Sequence, residues 1–361
     1  MGHIQSLGVR ARSKPLLAVA AVAAGAWVFW ILLLPAHGWS KHISNIGLSI
    51  MPLVAAAQCA VQARSVTARL RQGWILLAGG CLAWGLGMMV WTGYESIGGR
   101  DVPFPSAADF GYLATVPLVV AALLVFPTAP QRMAAQARTV LDGLVIGASL
   151  LVVSWVLVLG PVVRGGATGP LAAVIGIAYP LGDVIMGTIV LFAMARSRLG
   201  SPLGRSTLLL LGGGLLAIAV SDSGFSYLAL QDAYASGMRI DAGWFVGYLS
   251  VFLAARRSPS HAAARMEAPL TSQSRNVAPF AAVGLAGITM IAALVRDGGD
   301  LFLLGTSVVL AVAFAARAVL VTIDENQLRK SVEAWTSAPK DPAASDSAEE
   351  WLVGALARDR A

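Results

Sequence analysis

Two aspartates stand where a carboxylate is costly. Asp183 lies in the apolar run 171–193 and Asp222 in the run 206–229, and an ionisable side chain at the centre of a membrane helix costs about 2.5 to 3.5 kcal/mol on insertion scales. Groups kept at that cost carry protons or ions, hold a polar ligand, or join helices by hydrogen bonds. Tyr179 precedes Asp183 by one helical turn on the same face, and Pro180 frees the carbonyl of Gly176, which is expected to kink the helix just above Asp183. Asp109, Tyr112 and Tyr227 fall at the same end of neighbouring runs. Asp183, Asp222, Tyr179, Asp109, Tyr112 and Tyr227 are therefore the expected lining of a polar, ligand- or ion-sensing pocket. The competing reading is carboxyl groups that glue helices together.

Other chemistry has little support. No Walker loop, dinucleotide fingerprint or His-Glu-x-x-His occurs, so no cofactor is expected. His37 and His42 share a loop but have no carboxylate or thiol beside them, which is too little for a metal site. Cys59 and Cys81 fall inside apolar runs and are expected to pack as small free hydrophobes. Asp142 and Glu95 sit at the ends of their runs. Asp142 is expected to be eased by the helix dipole and interfacial water, and Glu95 to be a solvated boundary residue.

The elements that must position these residues follow from composition. Hydrophobic residues make up 57% of the 361, charged residues 12%, and mean hydropathy is +0.72, against roughly 45 to 50% apolar residues in soluble domains. A helix needs about 20 apolar residues to cross a ~30 Å hydrocarbon core. Ten runs approach that length: 15–34, 43–61, 74–94, 110–126, 140–163, 171–193, 206–229, 244–255, 277–295 and 301–321. The expected fold is an all-α polytopic integral membrane protein with ten transmembrane helices. The fourth run is short, and the eighth is long enough only if Asp241–Gly243 joins it. The first follows basic residues as a signal peptide would, but its length favours an uncleaved anchor.

Charge sets the expected orientation. With both termini in the cytoplasm, 21 of the 26 Lys and Arg residues fall on that side, leaving Lys41, Arg100, Arg164, Arg239 and Arg296 outside, one per loop. The net charge of +7 then reflects topology and anionic lipid headgroups, not nucleic acid. This arrangement divides the chain into a basic N-terminus at 1–14, the membrane domain 15–321, a cytoplasmic linker helix 322–336 and a Pro/Ser/Asp-rich tail 337–361 expected to be mostly disordered. Val321, Leu328 and Trp335 are seven apart, so the linker helix could meet a partner or a second copy.

Within the membrane domain three returning helices carry aromatic, Gly and Asp residues together: Asp109-Phe110-Gly111-Tyr112, Tyr179-Pro180-Leu181-Gly182-Asp183 and Asp241-Ala242-Gly243-Trp244. Their spacing fits two-helix hairpins repeated in parallel. Many glycines, among them Gly87, Gly143, Gly147 and Gly214, mark close helix packing.

The loop Arg296-Asp297-Gly298-Gly299-Asp300-Leu301-Phe302 is one letter from the GGDEF signature of diguanylate cyclases, with Leu301 where Glu belongs. Between two apolar runs it reads as a tight turn, since Gly takes positive φ freely and Asp bonds its own backbone. A catalytic role is not expected, and only 40 residues follow the last run.

Longer segments carry a family resemblance. Val102-Pro103-Phe104-Pro105-Ser106-Ala107-Ala108-Asp109-Phe110-Gly111-Tyr112-Leu113, Tyr179 to Asp183, Ser221-Asp222 through Leu230, Asp241 to Tyr248 and Arg317 to Arg329 resemble the N-terminal membrane region of actinobacterial signalling proteins. In that family the region precedes GGDEF cyclase and EAL phosphodiesterase domains. The resemblance implies a sensory module of the bacterial cell membrane that drives cyclic di-GMP turnover; with neither output domain in the sequence, the chain is expected not to be an enzyme itself. The alternative is a secondary transporter of the ten-helix drug/metabolite kind, with Asp183 carrying protons or cations. Hairpins repeated in parallel argue against its usual five-plus-five inverted design.

Overall fold

A computed structural model describes residues 25–33, 38–66, 68–126, 133–165, 169–196, 203–258, 278–298 and 300–337. These residues form ten helices and no strand. They are α1 (25–33), α2 (Trp39–Ser65), α3 (Ala68–Thr92, prolonged by a π turn at Gly93–Ile97), α4 (Ala107–Val125), α5 (Met133–Ser154, continuing through a π turn at Trp155–Leu159 into Gly160–Gly165), α6 (Pro170–Arg196), α7 (Arg205–Ala229), α8 (Asp241–Arg257), α9 (Ala278–Asp297) and α10 (Leu301–Ser337). Each apolar run of the sequence contributes a helix, as backbone in lipid requires when it has no water to bond. The N-terminus 1–14 and nearly all of the tail 337–361 lie outside the described residues.

Eight of these helices are long and apolar enough to cross a membrane, which makes this an all-α multi-pass membrane protein. The two weakest runs are resolved differently. α4 qualifies with 19 residues. Its start is fixed by a capping box, with Ser106 Oγ accepting from the Ala108 N–H at 3.2 Å and the Ser106 N–H donating to Asp109 at 2.6 Å. α8 has 17 residues and is not among the eight; Asp241–Gly243 forms its first turn, as the run's shortness required.

Helices alternate in direction, so their ends gather on two faces. One holds Asp300, Glu95, Asp109, Asp241 and Arg164; the other holds Arg317, Asp142 and the contact of Gln62 with the Ser258 carbonyl at 3.3 Å. We name these the Asp300 face and the Arg317 face.

Packing follows residue size. α2, α3, α4, α6, α7 and α8 share one core, centred on Trp74, Trp84, Leu77, Leu211, Tyr248 and Val251. Glycines let the hairpins close: a Cβ on Gly111 would lie 2.5 Å from the Ala83 carbonyl, and one on Gly214 would lie 2.7 Å from that of Gly247. A second core joins α5 to α9 and α10 through Val145, Ala148, Val152, Ala286, Leu303 and Leu310. α5 meets the first core through α6, where Gly147 faces Thr188.

Candidate functional site

α6 and α7 bring Asp183 and Asp222 together. Their carboxyl groups are within hydrogen-bonding reach of each other. Ser223 Oγ donates to Asp183 at 3.1 Å and the Trp244 indole N–H to Asp222 at 2.8 Å, so α6, α7 and α8 meet at this pair. α6 runs uninterrupted through Pro180. Tyr179, one turn earlier, donates not to Asp183 but to Asp109 of α4, at 2.5 Å. Asp109 thus serves two helices, capping its own and anchoring α6.

Tyr112 completes this group, with its ring 5.3 Å from that of Trp84 and its hydroxyl 3.4 Å from Met88 Sδ. Trp84 also packs against Trp244 at 6.2 Å and Tyr248 at 4.9 Å. Asp183, Asp222, Tyr179, Asp109 and Tyr112 therefore form one neighbourhood between α3, α4, α6, α7 and α8. Tyr227 does not share it; it turns out of the bundle, 46% exposed.

Two of the three similar motifs are used alike. Asp109-x-Gly111-Tyr112 and Asp241-x-Gly243-Trp244 each open a returning helix, seat a glycine against the preceding helix (Gly243 against Ser221) and send an aromatic ring onto Trp84. Asp183 lies much deeper in α6 than its counterparts lie in α4 and α8.

The Asp300 face holds a polar network that extends beyond the expected lining. Asp241, fully buried, accepts from Ser44 Oγ at 2.5 Å, the Gly237 N–H at 2.7 Å and the Tyr234 hydroxyl at 3.1 Å. Gly237 has φ +93° and would press a Cβ to 2.9 Å from Ser40, so only glycine lets this loop lie across the start of α2. Burial, then the nearby Asp241, pushes the Tyr234 hydroxyl well above its usual range. Glu95, expected to be solvated, is instead half-buried and accepts from Asn45 Nδ2 at 2.7 Å and the Trp91 indole at 3.2 Å. An end-of-run carboxylate reads as solvated until a neighbouring helix brings donors to it.

Asp142 also departs from expectation. It is buried and paired with Arg317, which is 3% exposed and lies over the Phe280 ring at 4.7 Å. A buried neighbour and not interfacial water accommodates this charge, and Arg317 is an internal tie and not a headgroup contact. The signal was an arginine inside an apolar run: such a charge needs a partner in another helix.

Asp300 caps the start of α10. Gly298 takes φ +80°, and Asp300 accepts from the Leu303 N–H at 2.8 Å, the Trp155 indole at 2.9 Å and Arg164 at 3.0 Å. Slight burial works to raise the Asp300 carboxyl, but the Leu303 amide, Trp155 and Arg164 outweigh it and hold it below the usual carboxylate range.

Among the described residues no group of three or more His, Cys, Asp or Glu could hold a metal, and Cys59 and Cys81 are buried free thiols. An apolar groove of about 670 Å³ lies elsewhere, between Gly143 and Gly147 of α5, Val184 and Thr188 of α6, and Gly305 and Thr306 of α10. Comparison of the chain with family models, curated proteins and solved structures finds no match.

Proposed function

We propose that the chain is a membrane-embedded sensory module that passes a signal from the Asp300 face to a cyclic di-GMP enzyme on the other side, through a partner or a second copy. It sits in the bacterial plasma membrane with both termini cytoplasmic, as the Lys and Arg distribution favours. It has no catalytic residues of its own. The observation that carries this reading is α10, a continuous helix of 37 residues tied to α5 near both ends of its membrane part, at Asp300 and at Arg317. A rearrangement among the helices has an unbroken path out of the membrane along it. The test is to replace Asp183 and Asp222 with Asn in the host and follow cellular cyclic di-GMP as external conditions change. Levels that respond as in the unmodified strain under every stimulus would overturn the proposal.

The Asp183–Asp222 pair favours one second reading, an ion-coupled transporter, because paired acids within helices also serve transport. Solute uptake into proteoliposomes that is lost in Asp183→Asn would establish it.

A further inference from the structure

We propose that Asp183 and Asp222 together bind one exchangeable proton drawn from the Asp300 face, and that Tyr248 is the third member of the site. This names the ligand of the pocket on which the sensory reading rests, and it can stand if that reading fails. The contact between the two acids points to the proton. An ionised carboxylate only accepts hydrogen bonds, so a bond between two carboxyl groups exists only while one of them is protonated. Each already has one further donor, Ser223 for Asp183 and Trp244 for Asp222.

Arg164, Arg317 and Arg329 are each committed to another carboxylate, those of Asp300, Asp142 and Glu333. Tyr179 of α6, Tyr112 of α4 and Tyr248 of α8 lie within electrostatic range of Asp222, and behind these tyrosines stand Asp109 of α4 and Glu95 and Cys81 of α3. All are neutral or acidic. A divalent ion such as Ca²⁺ would need six to eight oxygens, and here a hydroxyl and an indole N–H already point at the carboxyl oxygens.

Tyr248 is the independent sign of a guest. It is 2% exposed, its hydroxyl has no hydrogen-bond partner, and it lies within electrostatic range of Cys81, Asp222 and Tyr112. A buried hydroxyl is seldom left unmatched. Beside an acid pair it serves in both states, meeting a hydrated proton on arrival and donating to the newly charged carboxylate on departure. The Tyr179–Asp109 hydrogen bond, at the start of α4, marks the way to the Asp300 face. On release the proton passes to water at that face, leaving both carboxylates ionised and no bond broken but O–H.

The experiment is infrared difference spectroscopy of the purified full chain in lipid nanodiscs, following the C=O stretch of protonated carboxyl groups as pH rises. One band should disappear with pH, and it should be absent from the Asp183→Asn, Asp222→Asn double variant. Tyr248→Phe removes a donor to the charged form, so its band should persist to higher pH, with proton affinity raised about tenfold. That variant keeps the ring and decides the question if the double variant does not fold. The proposal is overturned by a double variant whose carboxyl bands titrate just as in the unmodified chain, by an unmoved midpoint in Tyr248→Phe, or by a band that answers to sodium at constant pH. A band that titrates as expected while cellular cyclic di-GMP ignores pH leaves the proton site standing and removes the sensory reading.

Discussion

The two packing units hold together by different means. In the apolar windows of α2 and α3 half of the residues are buried, against 17% in α9 and α10. The larger unit relies on close backbone approach: Gly111 on Ala83, Gly214 on Gly247 and Gly243 on Ser221 leave no space for a side chain. It adds hydrogen bonds between helices far apart in sequence, such as Ser44 to Asp241. The outer layer of α9 and α10 has glycines too, but Gly284, Gly287 and Gly305 face open space. Its polar ties to α5 are concentrated at two places, Asp142–Arg317 at one face and Trp155 and Arg164 to Asp300 at the other. Lipid tails are as apolar as Leu, so helices in a bilayer gain little by hiding apolar surface from one another. Where small residues do not interlock, a few charges decide how a helix sits. The larger unit is built to keep its shape, and the outer layer to be held at two points.

Breaking the Arg317 tie is the severest test of that contrast. Asp142→Ala leaves a buried guanidinium without its carboxylate and should cost about 3 to 5 kcal/mol, read as reduced resistance to unfolding in detergent. Replacing both partners, Asp142→Leu with Arg317→Met, should recover most of the loss. Glycine substitutions come next. Gly111→Ala should cost about 1 to 3 kcal/mol by forcing α3 and α4 apart. Gly287→Ala in α9 should be neutral or slightly stabilising, because nothing lies within 4 Å of its Cβ position. Equal effects at the two glycines would dissolve the distinction between the units. Asp241→Asn should cost about 1 to 2 kcal/mol, since an amide cannot accept from three donors as a carboxylate does. Hydrogen exchange at the Gly237 amide should quicken with it.

The smallest effect belongs to Asp300. Its folded-state carboxyl lies below the usual range, so the stability it contributes is fully present above the unfolded value of about 4. That contribution fades as pH falls through the lowered folded value. At 39% side-chain exposure solvent screens much of it. A change in detergent stability confined to strongly acid pH, and missing in Asp300→Asn, is the expected result.

How far the sequence could be read follows the same division. Run length placed a helix in each of the ten runs, eight of them long and apolar enough to cross a membrane, because lipid demands a helix wherever the chain crosses. It also foresaw that α8 would need Asp241–Gly243. What length does not carry is azimuth. Tyr227 sits near the right end of α7 but turns out of the bundle, while Tyr248, in an ordinary stretch of α8, is buried within electrostatic range of Asp222. Partners separated by 175 or 197 residues, as in Arg317–Asp142 and Ser44–Asp241, leave no local trace. A charged or polar residue inside an apolar run shows that a partner exists, but not which one. Gly237 was equally hidden, since its need for positive φ arises only from the approach of Ser40.

The length of α10 past its tie to Asp142 has a mechanical consequence. From Arg317 to Ser337 the helix continues for about 30 Å at 1.5 Å per residue. A rod of that reach turning about Arg317 swings its tip by about half an ångström for each degree. In the sensory module proposed above, tilts too slight to disturb the packing of the bundle would thus be magnified at the helix tip, with the Asp142–Arg317 pair as the fulcrum.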